Sequence, residues 1–213
     1  ELRFARPIHW ILAIYGGEVV PFRLENIISG TRSYGHRFLS PAPFEARSFA
    51  EYLDRTRENF VIVDHNERRR LILKGAEEAA GALSGQVFYD EALLDTLVFI
   101  VEYPCVISGS FDEGYLSLPR EVLTTSMMTQ QKYFPVSDGK GKLLPHFLTV
   151  SNTRPRDVGI VRRGNEKVIR ARLADAKFFF EEDRKVPLED RVEDLRGVVF
   201  HTLLGTSYEK VMR

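Results

Sequence analysis

A single cysteine, Cys105, stands among 213 residues, so no internal disulfide can form, and a reducing cytoplasm suits the chain. Flanked by Pro104, Val106 and Ile107, it reads as a small core hydrophobe rather than a nucleophile. An excess of one charge is missing too: 30 Lys and Arg balance 30 Asp and Glu, which argues against a protein that coats nucleic acid indiscriminately. No apolar run approaches the ~18 residues that a membrane span needs; Trp10–Tyr15 and Leu97–Val101 are both cut short by Gly or charge, and no membrane partner is expected. CxxC, HExxH and paired-His motifs are lacking, and with them the usual sequence grounds for a metal site. Neither GxxxxGK[ST] nor GxGxxG occurs, so nothing points to ATP held by this chain. His65, His146 and His201 have no nearby serine, cysteine or carboxylate pattern of the kind nucleophilic catalysis requires, and no catalytic residue is assigned.

What remains is an ordinary globule, 44% apolar and 28% charged, large enough to bury a sizeable core. It begins with Glu1 and ends at Arg213 in what reads as an unfinished helical run, which marks it as an internal fragment. Gly16-Gly17 between two strand-like runs signals a hairpin. Leu24 to Ser33 reads as a short strand with Ser29-Gly30 as a turn, and Gly35 in GHRF is free to take a backbone angle that other residues resist. Helices are expected over Phe44 to Arg57, from an Asp64 cap to Gly85, and over Asp90 to Glu102. CVISGSF from Cys105 is a strand, followed by a turn at Asp112 to Gly114. Pro119 opens a helix through about Gln130, and Tyr133–Val136 pairs antiparallel with His146–Val150. Two helices, 157–184 and 188–204, follow without further strands. The fold class is α+β, with residues 1–156 as an α+β domain and 157–213 as a helical segment.

Two stretches stand out for chemistry. EVLTTSMMTQQKYFP, from Glu121 to Pro135, has no period-2 alternation and only a short helical rhythm; Gln130, Gln131, Lys132 and Tyr133 could contact bases or ribose hydroxyls, or could merely cap a helix whose Met127, Met128, Tyr133 and Phe134 are core. On the helix from about Val161 to Asp183, Arg163, Lys167, Arg170 and Lys177 share one stripe. Ile169, Leu173, Ala176 and Phe180 share another, about 120° away. One side can enter a core while the other offers positive charge; the bland alternative is a solvated face helped by a Glu166–Arg170 pair. His36 and Arg37 form a third candidate, with a packed histidine the competing reading. Arg68, Arg69 and Arg70 point in different directions and read as solvated.

LPREVLTTSMMTQQKYFPV, Leu118 to Val136, resembles the signature of the beta subunit of bacterial heterotetrameric glycyl-tRNA synthetase. FARPIHWI at Phe4, YGHRFL at Tyr34, FLTVSNT at Phe147, GNEKVIRARLADAKFFFEED at Gly164 and LEDRVEDLRGVVFHTLLGT at Leu188 fall in the order that family shows, and chance poorly explains six collinear strings. The resemblance implies a mixed or antiparallel sheet with flanking helices, similar to the B3/B4 module of the phenylalanyl-tRNA synthetase beta subunit, leading toward a helical HD-type domain. It implies a part of an α2β2 glycine-tRNA ligase in which the alpha subunit binds glycine and ATP with Mg and forms glycyl adenylate, no cofactor being expected here. The beta subunit serves tRNA-Gly recognition, so the implied partners are tRNA-Gly, the alpha subunit and the remaining domains of the beta subunit. Two other roles compete: a hydrolytic editing module for misacylated tRNA, which needs a deep pocket lined by titratable groups, and a scaffold that docks a neighbouring subunit or domain. Glycine is the smallest amino acid, so a synthetic site can exclude larger ones and the need for editing is weak.

Overall fold

A computed structural model describes residues 7–213; the first three residues of the FARPIHWI string lie outside them. The chain opens with short strands: β1 (Ile11–Leu12), β2 (Ile14–Tyr15), β3 (Glu18–Val19), β4 (Arg23–Leu24), β5 (Ile27–Gly30), β6 (Arg32–Tyr34) and β7 (Pro43–Glu45). The predicted hairpin is β2–β3, with Gly16 at φ 60° and Gly17 at φ 87°, the left-handed pair that a two-residue turn demands. Ser29-Gly30 is not a turn: both lie in β5, Ser29 is buried, and the reversal comes earlier, where Glu25 takes φ 53° between β4 and β5. β7 occupies the place expected for the start of a helix. Helix α1 begins only at Phe49 (Phe49–Glu58), where the Ser48 hydroxyl accepts from the Glu51 amide, a side-chain cap that Pro43 cannot supply.

Helix α2 (His65–Ala82) is capped by Asp64 as expected and ends just before Ser84, which takes φ 56°. Strand β8 (Gln86–Val87) leads to α3 (Glu91–Ile100), capped by Asp90. After β9 (Cys105–Ser110) comes a single 3-10 turn at Glu113–Ser117, then α4 (Arg120–Thr124), which widens into a π-helical turn over Thr125–Gln130. Strands β10 (Phe134–Ser137) and β11 (Leu143–Ser151) form the predicted antiparallel pair, and the central sheet has the order β8-β10-β11-β9. Pro135 sits inside this sheet where the β10–β11 register shifts, an irregularity suited to a residue with no amide to donate.

Alternation along these strands divides two cores. Phe134, Val136, Leu148 and Val150 face α2 and α3, meeting Ile72, Ala76, Leu94 and Leu97. Tyr133, Leu143 and Phe147 face the other way, meeting Leu123 and Met127 of the π-turned segment and Ile169 and Leu173 of α5 (Val158–Asp183). The architecture is therefore α+β, a four-stranded sheet between helical layers.

Beyond α5 the expected helix over 188–204 does not form. Two 3-10 turns, at Glu189–Arg191 and Glu193–Gly197, lead instead to a hairpin of β12 (Val199–His201) and β13 (Gly205–Thr206), closed by α6 (Ser207–Val211). The β-branched and aromatic run from Val198 to Phe200 favours extended backbone, and Gly205 at φ 93° breaks any helix through it. No helix of the described residues is long and apolar enough to cross a membrane.

Candidate nucleic-acid interface

The Asp157 carboxylate starts α5 by accepting from the Gly159 amide at 2.8 Å and the Ile160 amide at 3.4 Å. Ile169 and Leu173 are fully buried and Ala176 and Phe180 partly so, as the stripe analysis requires. On the opposite side Arg163, Lys167 and Arg170 are exposed. None of the three has a carboxylate within 4.0 Å among the described residues. Lys177 is 3.9 Å from Glu181 one turn on, with both side chains about half exposed; such pairs hold a cation weakly. Over Val158–Asp183 six bases stand against five acids, but three of the acids, Glu181, Glu182 and Asp183, close the helix, so between Arg162 and Lys177 the bases outnumber the acids six to two.

The expected Glu166–Arg170 pair is absent. Glu166 Oε1 instead accepts from the Ser110 amide at 3.0 Å and its hydroxyl at 3.2 Å, while Arg162 Nε donates to the Ser108 carbonyl at 2.9 Å. Strand β9 is the sheet edge, and these two residues, one turn apart, satisfy backbone groups that an edge leaves open. Sequence reasoning misses this role; the i, i+4 spacing of an acid and a base is visible in the string, but the edge they cover is not.

The π-turned segment behaves differently. Tyr133 is only 5% exposed; its ring stacks on Phe147 with centroids 4.6 Å apart and planes 17° apart, and its hydroxyl donates to Asn165 Oδ1 at 2.6 Å. Burial pushes its phenol above the ordinary tyrosine range. The Tyr133 amide donates to the Met127 carbonyl at 2.9 Å, which closes the turn, and Lys132, at φ 59°, folds its ammonium back onto the Thr129 carbonyl at 3.0 Å. As a base-stacking ring Tyr133 is therefore ruled out by packing. Gln130 is exposed and Gln131 half-buried at the end of the same turn.

His36 is also internal, 1% exposed. Its Nδ1 accepts from the Phe38 and Leu39 amides, each at 3.2 Å, which puts the ring proton on Nε2 for the 2.7 Å bond to the Asn152 carbonyl. The Asn152 side-chain oxygen then accepts from the Glu102 and Tyr103 amides at 2.6 and 3.1 Å. The GHRF and SNT strings thus form one clasp between the early strands and the central sheet. Gly35 is needed there for close approach rather than for an unusual angle: a Cβ would lie 2.4 Å from Asn59 Cβ and 2.7 Å from its carbonyl oxygen. Arg37 remains exposed beside Phe38, its guanidinium 5.8 Å from the ring centre.

Of the Arg68–Arg70 cluster, only Arg70 is exposed. Arg68 donates to the carbonyls of Ile62, Val63 and Val98, so the solvated reading fails for it, while Arg69 pairs at the surface with the exposed carboxylates of Glu91 and Asp95. Cys105 has its thiol pushed up by burial, the opposite of what a nucleophile needs. A cleft of about 760 Å³ between the β2–β3 hairpin and the start of α1 is walled by Leu12, Ile14, Val20 and Phe49, with Arg47 its only charged side chain among the described residues.

Comparison with known proteins accounts for the whole chain. The family model described as glycyl-tRNA synthetase beta subunit matches residues 1–213. The chain is 64% identical over all its 213 residues to the glycine–tRNA ligase beta subunit of Syntrophus aciditrophicus. It is 52% identical to that of Syntrophotalea carbinolica and 51% to that of Geobacter sulfurreducens, again over its full length. It spans 31% of the length of each of these relatives. A match from residue 1 to residue 213, with relatives identical at half or more of the positions, has one reading: the chain belongs to the glycyl-tRNA synthetase beta subunit family.

Proposed function

We propose that this chain is a tRNA-contacting and architectural part of a glycine-tRNA ligase, serving the ATP-dependent attachment of glycine to tRNA-Gly in an α2β2 enzyme of the cytoplasm without an active site of its own. The observation that carries it is the outer face of α5, where Arg163, Lys167 and Arg170 stand exposed without carboxylate partners among the described residues. A duplex RNA stem offers dense phosphate to such a face, and neutralising phosphates releases counterions. Glycine and ATP with Mg belong, in this reading, to the alpha subunit. The architectural half of the role is supported by the exposed apolar side chains of Leu188, Val199, Leu203 and Val211 around the β12–β13 hairpin, a patch of the kind that meets the alpha subunit or the remaining domains of the subunit. An editing role has less support, because the 760 Å³ cleft is apolar and lacks paired titratable groups.

The test is charge reversal, Arg163→Glu with Lys167→Glu and Arg170→Glu, in the whole enzyme. Affinity for tRNA-Gly should fall at low salt, and the slope of log affinity against log salt should flatten by roughly one for each phosphate no longer neutralised. An unchanged slope refutes the reading; a loss of subunit assembly instead assigns the face to a protein partner.

A further inference from the structure

A groove of about 440 Å³ runs between α5 and the 3-10 turn at Glu113–Ser117, lined by Arg170, Ala174, Lys177 and Phe178 from the helix and by Tyr115 from the turn. We propose that this groove takes a short unpaired stretch of RNA, with one base laid against the Phe178 ring and the flanking phosphates on Arg170 and Lys177. The inference deepens the tRNA-contact reading above and rests on it.

The exposure of Phe178 carries it first. The ring is 57% exposed and meets the equally outward Phe179 edge-on, with centroids 5.4 Å apart and planes at 73°. On the same helix Ile169 and Leu173 turn inward, as an amphipathic helix dictates, while the aliphatic Val158, Ile160 and Val168 are exposed as well; what sets Phe178 apart is an aromatic face on a groove. An exposed ring left at the rim of a groove, with Phe179 against its edge, offers stacking surface rather than core volume. Cations supply the second part. Arg170 and Lys177 are two turns apart, roughly 10 Å along the helix at 1.5 Å per residue, a spacing that lets each meet a different one of two phosphates flanking a base. Two acids share the rim: Asp112, whose carboxylate keeps its charge while accepting from the Gly114 amide at 2.7 Å, and Glu181, 3.9 Å from Lys177, so Arg170 is the groove cation without a carboxylate within 4.0 Å among the described residues.

This combination selects unpaired RNA over a duplex. A duplex keeps its bases stacked inside and presents backbone alone, whereas unpaired bases lie readily on aromatic rings beside a cationic track. Such a segment can be the single-stranded 3′ end of a tRNA or one of its loops. Ala174 provides the handle that separates this groove from the basic face as a whole. It is exposed, one turn from both Arg170 and Phe178, so a larger side chain there stands between them while every cation stays.

The experiment uses the full-length subunit in the assembled enzyme, with Ala174→Leu and, as a variant that inserts nothing, Phe178→Ala. Four probes are titrated: a short single-stranded RNA, a blunt RNA duplex, intact tRNA-Gly, and the same tRNA trimmed of its unpaired 3′ nucleotides. Both variants should bind the single strand roughly tenfold more weakly, the loss expected for one stacked base, with duplex affinity and salt slope as in the parent. If only intact tRNA is weakened, the 3′ end occupies the groove; if both tRNAs are weakened equally, a loop does. Parental binding of the single strand by both variants overturns the groove, and the basic-face reading survives provided Arg163→Glu with Lys167→Glu still flattens the salt slope. Loss of subunit assembly in either variant, with RNA binding kept, also overturns it, because the groove then holds a protein partner.

Discussion

The turn from Thr125 to Tyr133 packs against the inner face of α5, and it and the outer face of that helix direct their side chains in opposite ways. The turn is built of polar and sulfur-bearing residues, yet Ser126 and Met127 are buried, Tyr133 is stacked on Phe147, and the Lys132 ammonium bends onto its own backbone. The helix is regular over 26 residues, and its bases point away from the core. The π-helical widening explains the difference. Inserting a residue into the helical repeat shifts the later side chains round the axis, so Met127 and Tyr133 can both reach the core that α5 shares. An unusual composition there records demanding packing, whereas the plain amphipathic pattern of α5 leaves an exposed basic face, the one proposed above to meet tRNA.

The sharpest way to break this contrast is to truncate one residue from each side. Met127→Ala removes a fully buried side chain and should cost about 2–5 kcal/mol in urea unfolding, while Arg163→Ala, at an exposed position, should stay within about 0.5 kcal/mol. RNA affinity should respond in the reverse order once each variant is assayed under conditions where it remains folded. Similar stability losses in the two variants would mean that the helix face is structural after all.

How much of the molecule is legible in its sequence follows from the same contrast. Local signals suffice where one residue decides: Asp64, Asp90 and Pro119 start helices, Gly16-Gly17 makes a turn, and the two stripes of α5 separate as inner and outer faces. The α+β class and the β10–β11 pairing are legible for the same reason. Tertiary demands are not. The place of Tyr133 depends on Phe147 and Asn165, and that of His36 on Asn152, 116 residues away. Glu166 looks like a partner for Arg170 because helix spacing is visible in a string, and sheet edges are not. The helix expected over 188–204 gives way to a hairpin, in which the β-branched run at Val198–Phe200 takes extended backbone.

Asn165 joins the two regions and offers a finer test. Its side-chain oxygen accepts from the Tyr133 hydroxyl at 2.6 Å and its amide donates to the Val161 carbonyl at 2.8 Å. Asn165→Ala leaves a buried phenol without its partner and should cost about 1–3 kcal/mol, with tRNA affinity and its salt slope unchanged because no outward cation moves. A fall in affinity as large as that from charge reversal would show that the inner layer sets the position of the outer one, and the separation drawn between them would have to be given up.

The smallest effect expected is also the one that asks most directly whether RNA reaches the π-turned segment. Tyr133→Phe keeps the stack on Phe147 and removes only the hydroxyl, so stability near neutral pH should fall by about 1 kcal/mol. The signature lies at high pH. Burial raises the Tyr133 phenol in the folded state, whereas the unfolded chain has the ordinary value of about 10. Stability from the neutral phenol is therefore complete below about pH 10 and is lost as pH rises toward the folded-state value, because the unfolded chain releases its proton first. Tyr133→Phe should remove that share of the alkaline decline. A remainder should persist from Tyr89, whose phenol is pushed up to about 12 by desolvation and then by Glu77. Urea unfolding on both sides of the ordinary tyrosine pKa measures the change, and an identical slope in the variant would mean that the hydroxyl is not buried as described. Should the variant instead lose tRNA affinity near neutral pH with its stability intact, the hydroxyl is within reach of RNA, and the inward role assigned to Thr125–Tyr133 is wrong.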